Sequence, residues 1–345
     1  MTPFVSVIMP CLNEVAFLGR CLDSILAGSY PRDRMEVIVA DGMSSDGTRE
    51  LLAGYMARDP RVRMLDNPAR ITPVGLNLAI AAARGEILAR VDAHAWIAPD
   101  YLLRCVHYLQ STDAASVGGT MLVVPQSGGP LAAAIAIALG HPFGVGNAHY
   151  RFGGTEPRWV DTVQGGCWRR EVFHRVGLFN EKLPRSQDME FNRRLRAAGG
   201  KILLAPEIRY HYFARTGFRA FLRHNFWNGQ WAVLPFLYTR GIPVSARHLV
   251  PLGFALAVAA GWIALPWSPA PLALVAIPYA AANLIASAGA AWKTRKPALF
   301  ALLPIVFLSL HLGYGAGSLA GLFQMIRNST LSKDHSCLPQ PMPRR

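Results

Sequence analysis

Charge is what this chain withholds most visibly. No charged residue occurs from Leu249 to Trp292, and none from Ala298 to Ile326 apart from His311. A helix needs about 20 apolar residues to cross a bilayer. The first run therefore accommodates two spans, broken at Pro266-Trp-Ser-Pro-Ala-Pro271, and the second accommodates one. Runs this long exclude an ordinary core hairpin and describe a membrane protein with a soluble head. Cysteine is also scarce: Cys11, Cys21, Cys105, Cys167 and Cys337 contain no C-x-x-C pair. That excludes a disulfide frame and a zinc site, leaving reduced thiols. The first apolar stretch is followed by Pro10-Cys-Leu-Asn-Glu14 and not by G-x-G-x-x-G, which excludes a dinucleotide-dependent dehydrogenase. No aromatic-basic module accompanies the net charge of +14, so anionic lipid and phosphate-bearing substrates account for it and nucleic acid does not.

The charges that are present orient the spans. Arg240, Arg247 and His248 precede the first, Lys293, Arg295 and Lys296 follow the second, and the proline-rich turn between them is neutral. The positive-inside rule puts the head and the Lys293–Lys296 loop in the cytoplasm, on the inner (cytoplasmic) membrane. The opening Met-Thr-Pro-Phe-Val-Ser-Val has neither a basic stretch nor a long apolar one that would export the head. A third full span would leave the basic tail (Arg327, Lys333, Arg344, Arg345) outside. Either that tail is tolerated there or the third segment is re-entrant.

The head alternates short apolar runs with helical patterns. Phe4–Met9, Met35–Ala40, Val62–Leu65 and Glu86–Val91 read as buried strands. Between and after them come four helices. The first carries Leu18, Leu22, Ile25 and Leu26. The second is capped within Ser44–Thr48, the third runs from Thr72-Pro73 to Gly85, and the fourth from Pro99 to about Leu109. Such alternation gives an α/β fold with a mainly parallel sheet covered on both faces. Ligands then sit beyond the carboxyl ends of the strands. Pro10–Glu14, Asp41-Gly42 and Asp92-Ala-His94 are all strand exits and converge on one crevice. Side chains at i and i+2 of an extended segment point the same way. Asp92 and His94 can therefore grip one divalent cation, which in turn can hold a diphosphate; the alternative is a turn whose side chains satisfy each other.

Val5-Ser-Val-Ile-Met-Pro-Cys-Leu-Asn-Glu14 and Val39-Ala-Asp-Gly-Met-Ser-Ser-Asp-Gly-Thr48 together resemble the opening of family 2 glycosyltransferases with the GT-A (Rossmann-like) fold. The resemblance implies that Pro10, Asn13, Glu14 and Asp41 border the base and ribose of a nucleotide-sugar donor, with a UDP-sugar expected. Asp92-Ala-His94 falls where the family carries Asp-x-Asp. His94 replaces the usual second carboxylate, and imidazole suits Mn²⁺ better than Mg²⁺. Gln187-Asp188 falls where the family carries Glu-Asp, which makes Asp188 the expected general base and Gln187 a substrate neighbour; Glu190 is then an orienting or ion-pairing residue. Ser186 is the expected cap of that helix. His211 lies where some GT-A enzymes place a histidine on the metal.

Gln164-Gly165-Gly166 either lets backbone approach a sugar closely or is a plain turn. Arg215 is a candidate for phosphate. Leu131–Leu139, too short to span, either rests on the bilayer and lines an acceptor path or is a buried helix. Gly313, Gly317 and Gly321 permit close helix packing. Gln230-Trp231 lacks the spacing of the Gln-x-x-Arg-Trp motif of processive synthases and so argues against polymerisation.

The expected organisation is a GT-A domain over 1–215, interfacial amphipathic helices over 216–247, a membrane region of about three segments over 248–326, and a basic tail over 327–345. The Asp92–His94 motif, the stretch Pro142-Phe-Gly-Val-Gly-Asn-Ala-His-Tyr-Arg151 and the apolar tail resemble the glucosyltransferases of succinoglycan-type exopolysaccharide assembly. That implies inverting transfer of a hexose, glucose first, to a polyprenyl-linked saccharide. The alternatives are transfer to a bare polyprenyl phosphate and a non-catalytic scaffold of an assembly complex.

Overall fold

The computed structural model describes residues 2–214, 217–239 and 243–329. The chain divides into two compact units. One takes in Met1–Leu122 and Gly153–Tyr212, the other Val123–Phe152 and Phe213–Ser336.

The first unit is built on β1 (Val5–Cys11), α1 (Val15–Leu26), β2 (Met35–Asp41), α2 (Thr48–Arg58), β3 (Val62–Asp66), α3 (Thr72–Ala82) and β4 (Ile87–Arg90). Strands β3-β2-β1-β4 pair in parallel, with Val5 opposite both Met35 and Ile87. Every residue of β2 is buried, as a strand covered on both faces requires. Leu18, Leu22 and Ile25 of α1 recur at helical spacing and are fully buried.

The sheet then changes direction. It continues through β8 (Cys167–Arg169), β6 (Ala114–Pro125), β9 (Lys201–Ala214) and β5 (Ala95–Ile97), while β7 (Arg158–Val160) pairs with β9. The β4–β8, β6–β8, β5–β9 and β7–β9 pairs are antiparallel. Helices α4 (Tyr101–Ser111), α7 (Glu171–Val176) and α8 (Gln187–Ala197) complete the unit. Strands of three residues carry no readable period, which is why β5, β7 and β8 are absent from the pattern in the sequence.

Helix α3 stops at Ala82, short of Gly85, because the next amides are claimed elsewhere. Arg84 N donates to Glu36 Oε1 at 2.8 Å and Gly85 N to Ser6 Oγ at 2.8 Å. Glu36 is fully buried and also holds the guanidiniums of Arg63 and Arg84, each at 3.1 Å. A side chain at Gly85 would collide with the Ser6 backbone at 2.5 Å, so only glycine fits. Ser186 is not the cap expected for α8. It takes a left-handed conformation (φ +61°) and its side chain makes no capping bond. Asp188 instead accepts the Met189 amide at 2.9 Å.

The second unit contains α5 (Pro130–Leu139), α6 (Pro142–Val145), α9 (Phe218–Val233), α10 (Val250–Ala264), α11 (Ala270–Lys293) and α12 (Leu303–Ser329). Among the described residues three stretches are long and apolar enough to cross a membrane: Ala246–Ala264, Ala270–Lys293 and Leu303–Arg327. They fall where the charge-free runs place them, and the third is one unbroken helix. Trp262, Leu274, Ile285 and Trp292 on these helices are mostly exposed, surface that hydrocarbon covers without cost. Helix α5 is a buried helix: Ala134, Ile135 and Ala138 pack with Phe221, Ala291, Leu303 and Phe307. The glycine stripe of α12 meets α9. A Cβ on Gly317 would lie 1.8 Å from the Phe226 carbonyl, and one on Gly229 1.8 Å from that of Tyr314. The two backbones touch, as small residues at a helix crossing allow.

Candidate active site

The exits of β1, β2 and β4 meet in the first unit. Asn13 takes a left-handed conformation (φ +55°), which asparagine tolerates. Its amide donates to Ser44 Oγ at 2.8 Å and its Oδ1 accepts from the Ser45 amide at 2.9 Å. Glu14 N donates to Thr48 Oγ1 at 2.9 Å, so the loops after β1 and β2 are laced together. Asp41 anchors them from below. Its carboxylate has no exposed surface, accepting from Ser44 Oγ at 2.5 Å, Ser44 N at 3.0 Å and Arg49 Nη1 at 2.8 Å. Asp41 therefore has no surface to offer a ligand, while Pro10, at the end of the same register, is half-buried.

At the end of β4, Arg90 and Asp92 form a pair at 2.8 Å, 6% and 13% exposed. Gln164 Nε2 reaches the other Asp92 oxygen at 3.3 Å. Burial pushes the Asp92 carboxyl up, but the Arg90 guanidinium and then His94 outweigh it and hold the group below the usual carboxylate range. Arg90 in turn feels the carboxylates of Asp92 and of Asp188, which keep it charged against burial. The buried guanidinium is thus within electrostatic reach of both acids expected to contact donor and acceptor, and it pairs directly with Asp92. Gly165 and Gly166 (φ +71° and +102°) serve the chain's own packing. A Cβ on the first would lie 2.9 Å from the Arg90 carbonyl, and one on the second would enter the Trp168 ring at 2.3 Å. The plain-turn reading describes these glycines, and their neighbour Gln164 carries the polar contact.

Asp188 is half-buried in the first turn of α8. Gln187 beside it is buried, with Oε1 lacking a hydrogen-bond partner. Glu190 is an ion-pairing residue, bound to Arg194 at 2.6 Å.

His94 Nδ1 lies 2.9 Å from Glu14 Oε1, and its ring meets Tyr212 edge-on at 4.9 Å. His211 is placed differently. Its ring stacks on Trp96 at 4.4 Å, and Arg20 covers Trp96 at 3.7 Å. Burial, then Arg20 and Arg209, lower the His211 imidazole below its ordinary range. Among the described residues no three His, Cys, Asp or Glu side chains form a metal-holding group. The donors that do meet still fit a cation in one specific way. A histidine with a carboxylate behind one ring nitrogen is the arrangement that orients metal-bound imidazoles, and diphosphate oxygens and water commonly complete such a shell. The site fits an ion held jointly by His94, Asp92 and a diphosphate. Cys11, Cys21, Cys105 and Cys167 are buried and free, as expected of structural thiols; Arg215 and Cys337 lie outside the described residues.

The model of glycosyl transferase family 2 matches residues 6–177, the stretch that supplies all of the crevice except α8 and β9. The succinoglycan biosynthesis protein ExoA of Rhizobium meliloti is 30% identical over 90% of this chain and 92% of its own. The chain belongs to glycosyltransferase family 2. A dolichyl N-acetylglucosaminyl phosphate glucuronosyltransferase of Methanococcus voltae is 24% identical over 93% of this chain and 98% of its own. A mannosyltransferase of Pyrobaculum calidifontis, solved with GDP-mannose and Mn²⁺, shares the fold with a TM-score of 0.58 and 21% identity, covering 94% of this chain and 88% of that one. This family 2 glycosyltransferase thus has the GT-A fold that its two opening motifs imply.

Arg90 and the Gln164 side chain are the partners of Asp92 that motif reading does not supply. Arg90 had a signal: it is the one charge inside the apolar run Ile87-Leu-Ala-Arg-Val91 and sits two positions before Asp92, hence on the same side of the strand.

Proposed function

We propose that this glycosyltransferase is a membrane-bound inverting enzyme that moves a hexose, glucose first among candidates, from a UDP-sugar to a polyprenyl-linked saccharide on the cytoplasmic face of the inner membrane. The observation that supports the reading most is the meeting of the strand exits in one crevice, with His94 Nδ1 2.9 Å from Glu14 Oε1 and the buried Asp92 paired with Arg90 at 2.8 Å. The Arg90 guanidinium outweighs burial and holds the Asp92 carboxyl below the usual carboxylate range.

Asp92 and Glu14 orient the donor, with Asn13 and Asp41 fixing the loops that receive the base. Asp188 takes the proton of the acceptor hydroxyl as that oxygen bonds to the anomeric carbon. The bond from the anomeric carbon to the phosphate oxygen breaks in the same displacement, the nucleoside diphosphate leaves, and configuration inverts. A divalent ion, Mn²⁺ or Mg²⁺, bound by Asp92, His94 and the diphosphate would supply neutralisation of the leaving group's charge. Three apolar helices and the Methanococcus relative, whose name specifies a lipid-phosphate-linked acceptor, support an acceptor resident in the bilayer.

The test is turnover of a panel of UDP- and GDP-sugars by the full chain in lipid, with Mn²⁺, Mg²⁺ or EDTA. Metal-dependent turnover of one donor names its sugar. Folded protein that binds and turns over no donor would sink the reading. Sugar-free polyprenyl phosphate serving as well as a saccharide-bearing lipid would shift the acceptor to the bare carrier.

A further inference from the structure

Of the three apolar helices in the second unit, α12 is the odd one. Within its apolar stretch 39% of the residues are buried inside the protein, against 11% in each of the other two. Much of that burial comes from α9. A Cβ on Gly313 would lie 3.9 Å from Leu222, one on Gly321 would lie 2.7 Å from the Gln230 carbonyl, and Gly317 meets Phe226 between them. Gln230 Nε2 then reaches Gln324 Oε1 at 2.9 Å. Partners four apart on both helices, met in the same order, mean that α9 and α12 run side by side in one direction. Whatever depth one of them takes in a bilayer, the other shares.

Helix α9 is not one that hydrocarbon accepts. Its outward face carries Arg219, Arg223 and Trp227, four residues apart and all exposed. The Arg223 guanidinium lies over the Trp227 ring at 5.4 Å. An arginine facing lipid deep in a bilayer is costly, whereas arginine beside tryptophan suits the headgroup layer, with stem and ring inward and charge in water. The outward face of α12 is the apolar counterpart: Ile305, Leu308, Leu312, Phe323 and Ile326 recur at helical spacing and are exposed. A second marker sets the depth. His248, just before α10, lies 2.8 Å from the Tyr314 hydroxyl, midway along α12. Ser329 is 15 residues beyond Tyr314. That is a rise of roughly 22 Å, against the roughly 30 Å of hydrocarbon in a bilayer. The stretches 123–152 and 213–333 of this unit hold no aspartate or glutamate that would repel lipid phosphates.

We infer that α12 does not cross the membrane. Helices α9 and α12 lie together on the cytoplasmic leaflet, the α12 stripe against hydrocarbon and the α9 arginines among phospholipid headgroups. The two spans are then α10 and α11, and the basic tail stays on the side of the head, where a third crossing would strand it outside. This deepens the proposed function and rests on it only for which side of the membrane is meant.

The experiment is labelling of the full chain by a membrane-impermeant maleimide, in spheroplasts and in inverted membrane vesicles. Cys11, Cys21, Cys105 and Cys167 are buried, which leaves Cys337 in the tail as the native reporter. Single cysteines in a Cys337→Ser background supply the landmarks: Ser268→Cys between α10 and α11, Thr294→Cys after α11, and Arg219→Cys on α9. Cys337, Thr294→Cys and Arg219→Cys should label in inverted vesicles and stay unlabelled in spheroplasts, and Ser268→Cys should do the reverse. Cys337 labelling from the same side as Ser268→Cys overturns the inference, because α12 then crosses. Arg219→Cys that labels from neither side until detergent is added also overturns it, because α9 is then not at the surface. So does Thr294→Cys labelling from the same side as Ser268→Cys, because α11 is then not a span. The whole pattern reversed, with Cys337, Thr294→Cys and Arg219→Cys labelled in spheroplasts, upholds the inference and refutes only the cytoplasmic placement of the head.

Discussion

The two units of this chain solve the problem of buried charge in opposite ways. The first holds every acidic residue of the protein except Asp334 and pairs its buried carboxylates inside the fold: Glu36 with Arg63 and Arg84, Asp41 with Arg49, Asp92 with Arg90. The second has basic residues and no acid before Asp334, and its closest contacts are between helix backbones. Electrostatics in the first unit is settled internally, which preorganises the crevice before substrate arrives. The second unit relies on close helix packing. The contrast shows how one sequence settles the charges of its crevice by ion pairs while another part of the chain is held by close backbone packing.

The largest effect should follow from removing the base. Asp188→Asn should lower kcat about 100- to 10,000-fold with nucleotide-sugar affinity retained, read by transfer kinetics beside donor binding. Retained kcat would show that Asp188 merely caps α8. Next, Arg90→Met strands a buried carboxylate, at a cost of about 3–5 kcal/mol in unfolding experiments. A loss below about 1 kcal/mol would mean that the ion pairs do not organise the first unit. In the second unit, Gly317→Ala should cost about 1–3 kcal/mol, because α9 and α12 must part to admit the methyl group. That loss should be insensitive to pH and salt, and a salt-dependent loss would blur the contrast between the units.

The smallest effect is the pH dependence of Glu36. Burial pushes its carboxyl up, but the Arg84 amide, Ser6 and the two arginines bring it below the ordinary value. A group whose folded pKa is depressed contributes stability that is full above the unfolded value of about 4.3 and fades as pH falls through the folded one. Wild-type stability should therefore decline in that acid range more steeply than that of Glu36→Gln, and parallel declines would remove Glu36 from the account.

The parallel strands and the three apolar helices were legible because each depends on a local pattern: buried β-branched runs closed by turn residues, and long stretches without charge. Asp92, His94 and Asp188 were legible because motif spacing places them at a strand exit and a helix start. In the antiparallel half of the sheet the start of β9, Lys201–Pro206, was legible as a strand, but its partners were not, since three-residue strands such as Ala95–Ile97 have no period and pair only because β9 is already beside them. Gly165 and Gly166 show the same limit: the sequence says that a side chain is unwelcome, and only packing says that the neighbours are the Arg90 carbonyl and the Trp168 ring. By itself the sequence determined the family, the number of apolar helices and the acids of the crevice. Tertiary structure alone decided that Asp41 is buried under Arg49, that His211 stacks on Trp96, and that Arg90 and Gln164 both hold Asp92. The reason is physical: a motif fixes which groups the chain carries and in what local order, whereas a charge finds its partner through space, across strands and helices far apart in sequence.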